Sequence, residues 1–199
     1  MMSKTKEQLK ELEPIQLYSV LESHMVEGIM FHNDMSDYFN FIGLHGFKRI
    51  HEYQFYEENK NRRLLCRKVL DIHNKLIPHN EEFKTKENIP KEWYSYTRMD
   101  IDDNILPKLV KNGWKVYKEW EEETKQLYQN IACLFYEKGM LIDFDIVLCY
   151  AREVQEELKE IYRMCEKLNM IGYDVVGISD MQEQIHDCYK NKLKQLKLH

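Results

Sequence analysis

Polar side chains interrupt an otherwise apolar helical stripe in the segment from 47 to 77. The apolar positions Leu65, Val69 and Ile72 recur at the spacing of one helix face. Toward the N-terminus the same spacing gives Asn61, Glu58, Gln54 and His51. A buried carboxylate with buried amides is costly unless these groups pair or bind a cation. The stripe therefore predicts a polar site inside the fold, built around Glu58 and His51.

Three further helical patterns carry candidate ligands at comparable positions. Hard divalent metals such as iron and manganese favour oxygen-rich sites completed by imidazole, and helical bundles supply such ligands from all four helices. The predicted metal ligands are Glu22, His24, Glu27, His51, Glu58, Glu121, Glu153 and Glu157, of which Glu58 and Glu157 are the predicted catalytic pair. The alternative stays open, because glutamates on helices are commonly solvated or paired with lysine and arginine.

The elements that must position these residues are four long helices and a shorter fifth one. The patterns predict helices at 14–41, 47–77, 105–138 and 142–171, with a short helix at 179–198 capped by Ser179. The chain has 7 glycines and 4 prolines, which leaves room for long uninterrupted helices. Short corners within two hairpins and one long polar connection between them predict an all-α four-helix bundle with a single crossover, in one domain spanning 1–199.

Composition excludes several classes of function. The net charge of −5, with both signs mixed along the chain, does not give the basic surface that nucleic-acid binding requires. No apolar run approaches the roughly 20 residues of a membrane span, and the charged segment Met1–Glu13 lacks the apolar centre of a signal peptide. The 5 cysteines show no Cys-x-x-Cys spacing, so we expect reduced thiols in a cytoplasmic protein.

The two later helices and the second helix resemble those of bacterial non-haem ferritins. The residues that carry the resemblance are Tyr117-Lys118, Thr124, Tyr128, Ala132, Gly139, the run Glu153-Val154-Gln155-Glu156-Glu157 and the run Lys167 to Gly172. Gly46-Phe47, Glu57-Glu58 and Leu64 in the second helix, and Ile89-Pro90 with Trp93 in the connection, also match. The resemblance covers about residues 14–176.

This resemblance implies a ferritin-like four-helix bundle with a short C-terminal helix, and copies assembled into a symmetric homo-oligomer. It also implies a diiron carboxylate site that oxidises ferrous iron with dioxygen. The family motif Glu-x-x-His reads Glu58-Asn59-Lys60-Asn61 in this chain, so the carboxylate is kept and an amide replaces the imidazole. Trp120 stands at the family's third-helix carboxylate, and Met25 and Val154 stand near two further ligand positions.

Three hypotheses therefore remain open. The first is an iron-handling protein that oxidises or stores iron through a dimetal site. The second is a ferritin-like bundle that has lost its metal and serves as a structural or partner-binding protein, with no cofactor. The third is a different diiron or dimanganese oxidase that uses a shifted ligand set: His24, Glu27, His51, Glu58, Glu121 and Glu157.

Overall fold

The computed structural model describes residues 6–78 and 95–196, and these form six α-helices. They are α1 (Lys6–Lys10), α2 (Pro14–Phe41), α3 (His45–His73), α4 (Leu106–Glu137), α5 (Leu141–Met170) and α6 (Val175–Leu196), with a short 3-10 turn at Arg98–Asp100 before α4. The described ranges contain no β-strand. None of the helices in these ranges is long and apolar enough to cross a membrane.

The four long helices pack as two hairpins. α2 packs along α3, α4 packs along α5, and α2 also contacts α4. Each hairpin closes through a three-residue corner, whereas residues 74–105 connect one hairpin to the other. This is the predicted all-α bundle with one long crossover connection. The part of the connection at 79–94, with Ile89-Pro90 and Trp93, lies outside the described residues.

The helix ends follow local chemistry. Gly139 and Gly172 follow α4 and α5 with φ angles of +71° and +63°, a region that glycine adopts without strain. The prediction that Ser179 caps the last helix is wrong. α6 begins at Val175, because the Asp174 side chain accepts a hydrogen bond from the Gly177 amide at 2.9 Å and the Asp174 carbonyl accepts from Ile178.

Two apolar clusters fill opposite ends of the bundle. One joins the first half of α2 to the start of α5 and includes Leu17, Leu21, Leu65, Phe135 and Val147. The other lies under α6 and includes Phe31, Phe39, Phe47, Trp114 and Ile185. The predicted polar positions at 22–28, 51–61, 120–124 and 153–157 overlap or adjoin the stretches where each helix passes from one cluster to the other. We call this region the polar layer.

A buried aspartate ties three helices together at the end of the bundle away from α6. Asp143 of α5 is 4% exposed and accepts a hydrogen bond from the Tyr18 hydroxyl of α2 at 2.6 Å. The Nε2 atom of His73, the last residue of α3, lies 2.5 Å from the same carboxylate oxygen. The imidazole and the phenol together satisfy the buried carboxylate, so they hold the helix ends in place.

The start of α3 approaches α6 so closely that a side chain does not fit. A Cβ atom on Gly46 would lie 1.8 Å from the main-chain oxygen of Gln182. The Gln182 side-chain oxygen in turn accepts a hydrogen bond from the Gly46 amide at 2.8 Å. Glycine at this position therefore sets how near α6 can come to the bundle.

We expect Gly46→Ala to push α6 away from α3 and to lower the free energy of unfolding by about 1–3 kcal/mol, the usual cost of overpacking. Hydrogen exchange along α6, with urea denaturation of the same sample, measures both effects. Gly139→Ala is the control, because nothing lies within 4 Å of its added methyl group and only backbone strain results. Unchanged exchange in α6 of the Gly46 variant would contradict the close-approach explanation.

Candidate functional site

The Glu58 carboxyl lies in the centre of the polar layer with one oxygen unsatisfied. A methyl group on Gly28 of α2 would touch both this carboxyl, at 3.6 Å, and the Trp120 ring, at 3.7 Å. The Oε2 atom of Glu58 is buried and has no hydrogen-bond partner among the residues that the structure describes, and the same is true of the Tyr128 hydroxyl. Burial raises the pKa of Glu58 well above its usual value, and the nearby carboxylates of Glu157 and Glu121 raise it further.

Two more acids from α4 and α5 face the same layer. Glu121 is 2% exposed, and burial raises its pKa to about 8. Burial also raises the pKa of Glu157, and Glu121 adds to the effect through like-charge repulsion. A hydrogen bond from the Gln54 side chain to Glu157 opposes this shift. Three of the predicted ligands, Glu58, Glu121 and Glu157, one from each of three helices, are thus near enough for their charges to act on one another.

The imidazole of His24 is engaged elsewhere in the layer. Its Nε2 atom lies 2.8 Å from the Thr124 hydroxyl, which itself donates to the Trp120 carbonyl at 2.9 Å. The ring stacks on the Trp120 indole with centroids 4.9 Å apart and planes 3° from parallel. The Glu27 carboxylate lies 3.9 Å from the other ring nitrogen. His24 and Glu27 therefore form a pair on the α2 side of Trp120.

His51 pairs with a histidine that the sequence analysis did not include among the ligands. The Nδ1 atoms of His51 and His32 lie 3.1 Å apart, so one ring donates a hydrogen to the other, and both residues are 1% exposed. The Nε2 atom of His32 lies 3.5 Å from Glu121, which makes a buried row of an acid and two imidazoles. Burial lowers the pKa of His32 to about 3. His32 follows His24 by eight residues, or about two helical turns, and this spacing could have indicated that both histidines face the interior.

The remaining predicted ligands have other partners. Glu22 is 3% exposed and forms an ion pair with Arg62 of α3, whose Nε donates to it at 2.6 Å. Glu153 lies at the surface and accepts a hydrogen bond from Asn61 at 3.1 Å. Nothing in the stripe pattern distinguished Arg62 as the countercharge of Glu22, because an arginine near a helix surface is common. The Asn61 to Glu153 contact joins α3 to α5 at the edge of the layer.

Trp120 occupies the position where the family resemblance places a carboxylate. Its ring is sandwiched between His24 and Phe31, whose centroid lies 4.7 Å away at 12° from parallel. The side chain is 7% exposed, so an aromatic ring fills this part of the layer. Within residues 6–78 and 95–196, no three His, Cys, Asp or Glu side chains are arranged to hold a metal ion. The eight-residue ligand set stays a prediction.

Solved structures with the same fold are ferritins from Archaeoglobus fulgidus. An open-pore ferritin is 17% identical with a TM-score of 0.71, and the match covers 87% of this chain and 95% of that one. A second structure of the open-pore ferritin gives the same identity and TM-score, over 89% and 98% of the two chains. An engineered closed form is 15% identical with a TM-score of 0.68, over 87% and 94%. The fold is therefore ferritin-like, as the sequence resemblance implied.

No protein-family model matches the chain, and no curated protein sequence matches it either. The likeness to solved structures therefore extends to the fold alone.

The buried acids predict that the free energy of unfolding falls as pH rises from 7 to 8 in protein stripped of metal by a chelator. Folded Glu121 keeps its proton up to about pH 8, whereas the unfolded carboxyl, with a pKa of 4.5, has already lost it. His32 acts in the opposite direction, but only between its folded pKa of about 3 and its unfolded 6.5. Each proton contributes at most about 1.4 kcal/mol per pH unit.

Urea denaturation at pH 7.0, 7.5 and 8.0 measures this slope. Glu121→Gln should flatten it, because the amide cannot titrate. Glu119→Gln is the matched control on the same helix, since Glu119 is exposed and paired with Lys115. Equal slopes in the wild type and the Glu121 variant would contradict the assignment.

Proposed function

We propose that this ferritin-like bundle binds ferrous iron as its substrate ion, one ion per chain, at the carboxylates of Glu58, Glu121 and Glu157. The observation that carries the proposal is the buried and unsatisfied Oε2 atom of Glu58, which lies in a layer with the buried Glu121 and the partly buried Glu157. Three acids between two apolar clusters form an oxygen-rich environment without a lysine or arginine partner of their own in the described contacts. Hard divalent cations favour such a donor set. Because no three such side chains in the described ranges are arranged to hold a metal ion, we propose that the ion draws the three carboxylates together as it binds.

When the cation binds, it replaces protons on the carboxyl groups of these residues. Burial raises the pKa values of all three acids, and neighbouring carboxylates raise those of Glu58 and Glu157 further, so without a cation the protonated forms are favoured more than in an exposed acid. A divalent ion replaces the protons, so binding releases acid and tightens as pH rises. Gln54 orients Glu157 through its hydrogen bond, and Tyr128 offers a buried hydroxyl on the α4 side of the layer.

One ion fits these residues better than two. A dimetal centre in a bundle draws imidazoles from its helices. Here His24 is stacked and hydrogen-bonded, and His51 is paired with His32. Trp120 fills the position of a further carboxylate. We therefore propose iron binding without the two-metal oxidation that the family resemblance implies.

A second candidate function is a metal-independent bundle that serves as a structural or partner-binding protein. The observation that favours it is the sandwich of Trp120 between His24 and Phe31, because an aromatic core at this position stabilises the bundle by packing alone. Under this hypothesis the raised pKa values of the three acids, rather than a cation, limit the charge inside the bundle.

Anaerobic loading with ferrous iron, gel filtration and elemental analysis decide between these functions. We expect about one iron per chain, with affinity reduced about tenfold or more in Glu58→Gln, as is usual on loss of a ligand. Glu52→Gln is the control on the same helix, since Glu52 is paired with Lys48 away from the layer. About two irons per chain would support a dimetal centre, and none in a folded sample would favour the metal-independent bundle.

The homo-oligomer implied by the family resemblance remains a proposal as well. Apolar side chains at the end of α3 and just beyond it are exposed, with Leu70 at 42%, Ile72 at 40% and Leu76, three residues past the helix, at 78%. Sedimentation velocity tests this proposal, and we expect a discrete assembly that dissociates when Leu70 and Leu76 are changed to Ser. A monomer at high micromolar concentration would contradict it.

A further inference from the structure

A groove of about 590 Å³ runs between α5 and α6 toward the polar layer. It exists because α6 packs extensively along α3 and much less against α5. Trp114 and Tyr117 of α4, with Gln54 of α3, form its inner end, and the apolar side chains Ile50, Ile161, Met164 and Ile185 line its length. A volume of this size is well above that of a hydrated ion.

One wall of the groove is a row of acids on a single face of α5. Glu153, Glu156, Glu157 and Glu160 all line it, because positions three, four and seven residues after Glu153 share its helix face. Glu156 and Glu160 are at the exposed rim, where they pair with Lys159 and Arg163. Glu157 is at the inner end, where Gln54 donates to it and where its charge acts on Glu58. The row therefore connects solvent to the acids of the layer.

We propose that this groove is the route by which divalent cations reach the carboxylates inside the bundle, and that Lys192 slows their passage at its mouth. The proposal rests on the iron binding proposed above and adds the path and the residues that control its rate. An acidic cleft with apolar walls concentrates cations and raises their rate of association. Successive carboxylates then offer oxygen ligands at short steps along the wall.

Lys192 is the basic side chain among those that line the groove. Its ammonium lies 4.4 Å from the centre of the Tyr189 ring and 5.6 Å from that of Tyr53, so cation–π contacts hold it in place. A fixed positive charge there repels an approaching cation and offsets part of the attraction of the acids. Its removal should raise the association rate while the site itself stays intact.

Stopped-flow mixing with ferrous iron under argon tests the route, with quenching of tryptophan fluorescence as the signal because Trp120 lies beside Glu58. Lys192→Met keeps the length of the side chain and removes its charge, and we expect association at least about threefold faster. Lys194→Met is the matched control, since Lys194 is exposed on the same helix and does not line the groove. Equilibrium iron content should be equal in all three proteins.

The acidic rim is tested by Glu156→Gln with Glu160→Gln, which should slow association by about threefold or more. Glu119→Gln with Glu123→Gln removes the same number of charges from exposed positions on α4 outside the groove. These paired variants separate a local effect from a change in net charge. At about 1 M salt, where the screening length is about 3 Å, the differences in association rate between these variants and the wild type should shrink.

Blocking the groove gives a test that does not depend on charge. Cys188 is an exposed free thiol that lines it, so a bulky maleimide there should slow association strongly. The Cys188→Ser protein, treated with the same reagent, controls for labelling of the other cysteines. If iron associates at equal rates with the maleimide-labelled protein, the charge variants and the wild type, and iron is still bound at equilibrium, the proposed route is wrong but the proposed iron binding is not. No bound iron in any folded sample would overturn both the route and the binding function.

Discussion

The placement of three acids where the two apolar clusters meet, with Glu121 buried and Glu58 and Glu157 partly buried, is the constraint on which the rest of the bundle depends. Charging Glu58, Glu121 and Glu157 together in such a place is unfavourable, because burial removes part of the water that would solvate each carboxylate. The fold has two ways to relieve this: protons on the acids, or a cation among them. The long helices must therefore remain closely packed at both ends, where Leu17, Phe135 and Phe47 supply apolar burial that offsets an unfavourable centre.

Trp120 determines how the other polar groups of the layer are used. Its indole stacks on His24 from one side and on Phe31 from the other, and His24 contacts Thr124 and Glu27. On the far side of Phe31, His32 and His51 satisfy each other. The layer thus has an aromatic part around Trp120 and an acidic part, joined by the His32 to Glu121 contact. In this respect the site differs from that of a dimetal bundle, in which carboxylates and imidazoles are arranged symmetrically.

Periodicity alone predicted the helices and the depth of the polar layer, because a 3.6-residue repeat fixes which side chains share a face. It could not predict which polar groups pair, since that depends on the rotation of each helix about its axis. Glu22 and Glu58 are both glutamates on helices in the sequence. In the structure Glu22 pairs with Arg62, whereas the Oε2 atom of Glu58 has no hydrogen-bond partner. His32 was missed because it stands next to Phe31 on the apolar stripe. The groove could not be predicted from the sequence, because it depends on where α6 packs on the bundle. The close contact between Gly46 and Gln182 sets that position.

Contacts across the polar layer also fix the axial register of the helices. Apolar side chains such as leucine and isoleucine tolerate a slide of one turn, because each finds a similar neighbour after the shift. The Asn61 to Glu153, His24 to Thr124 and His32 to Glu121 contacts do not tolerate it, since every donor would lose its acceptor at once. The layer thus selects one alignment of the hairpins among several that the apolar clusters alone would permit.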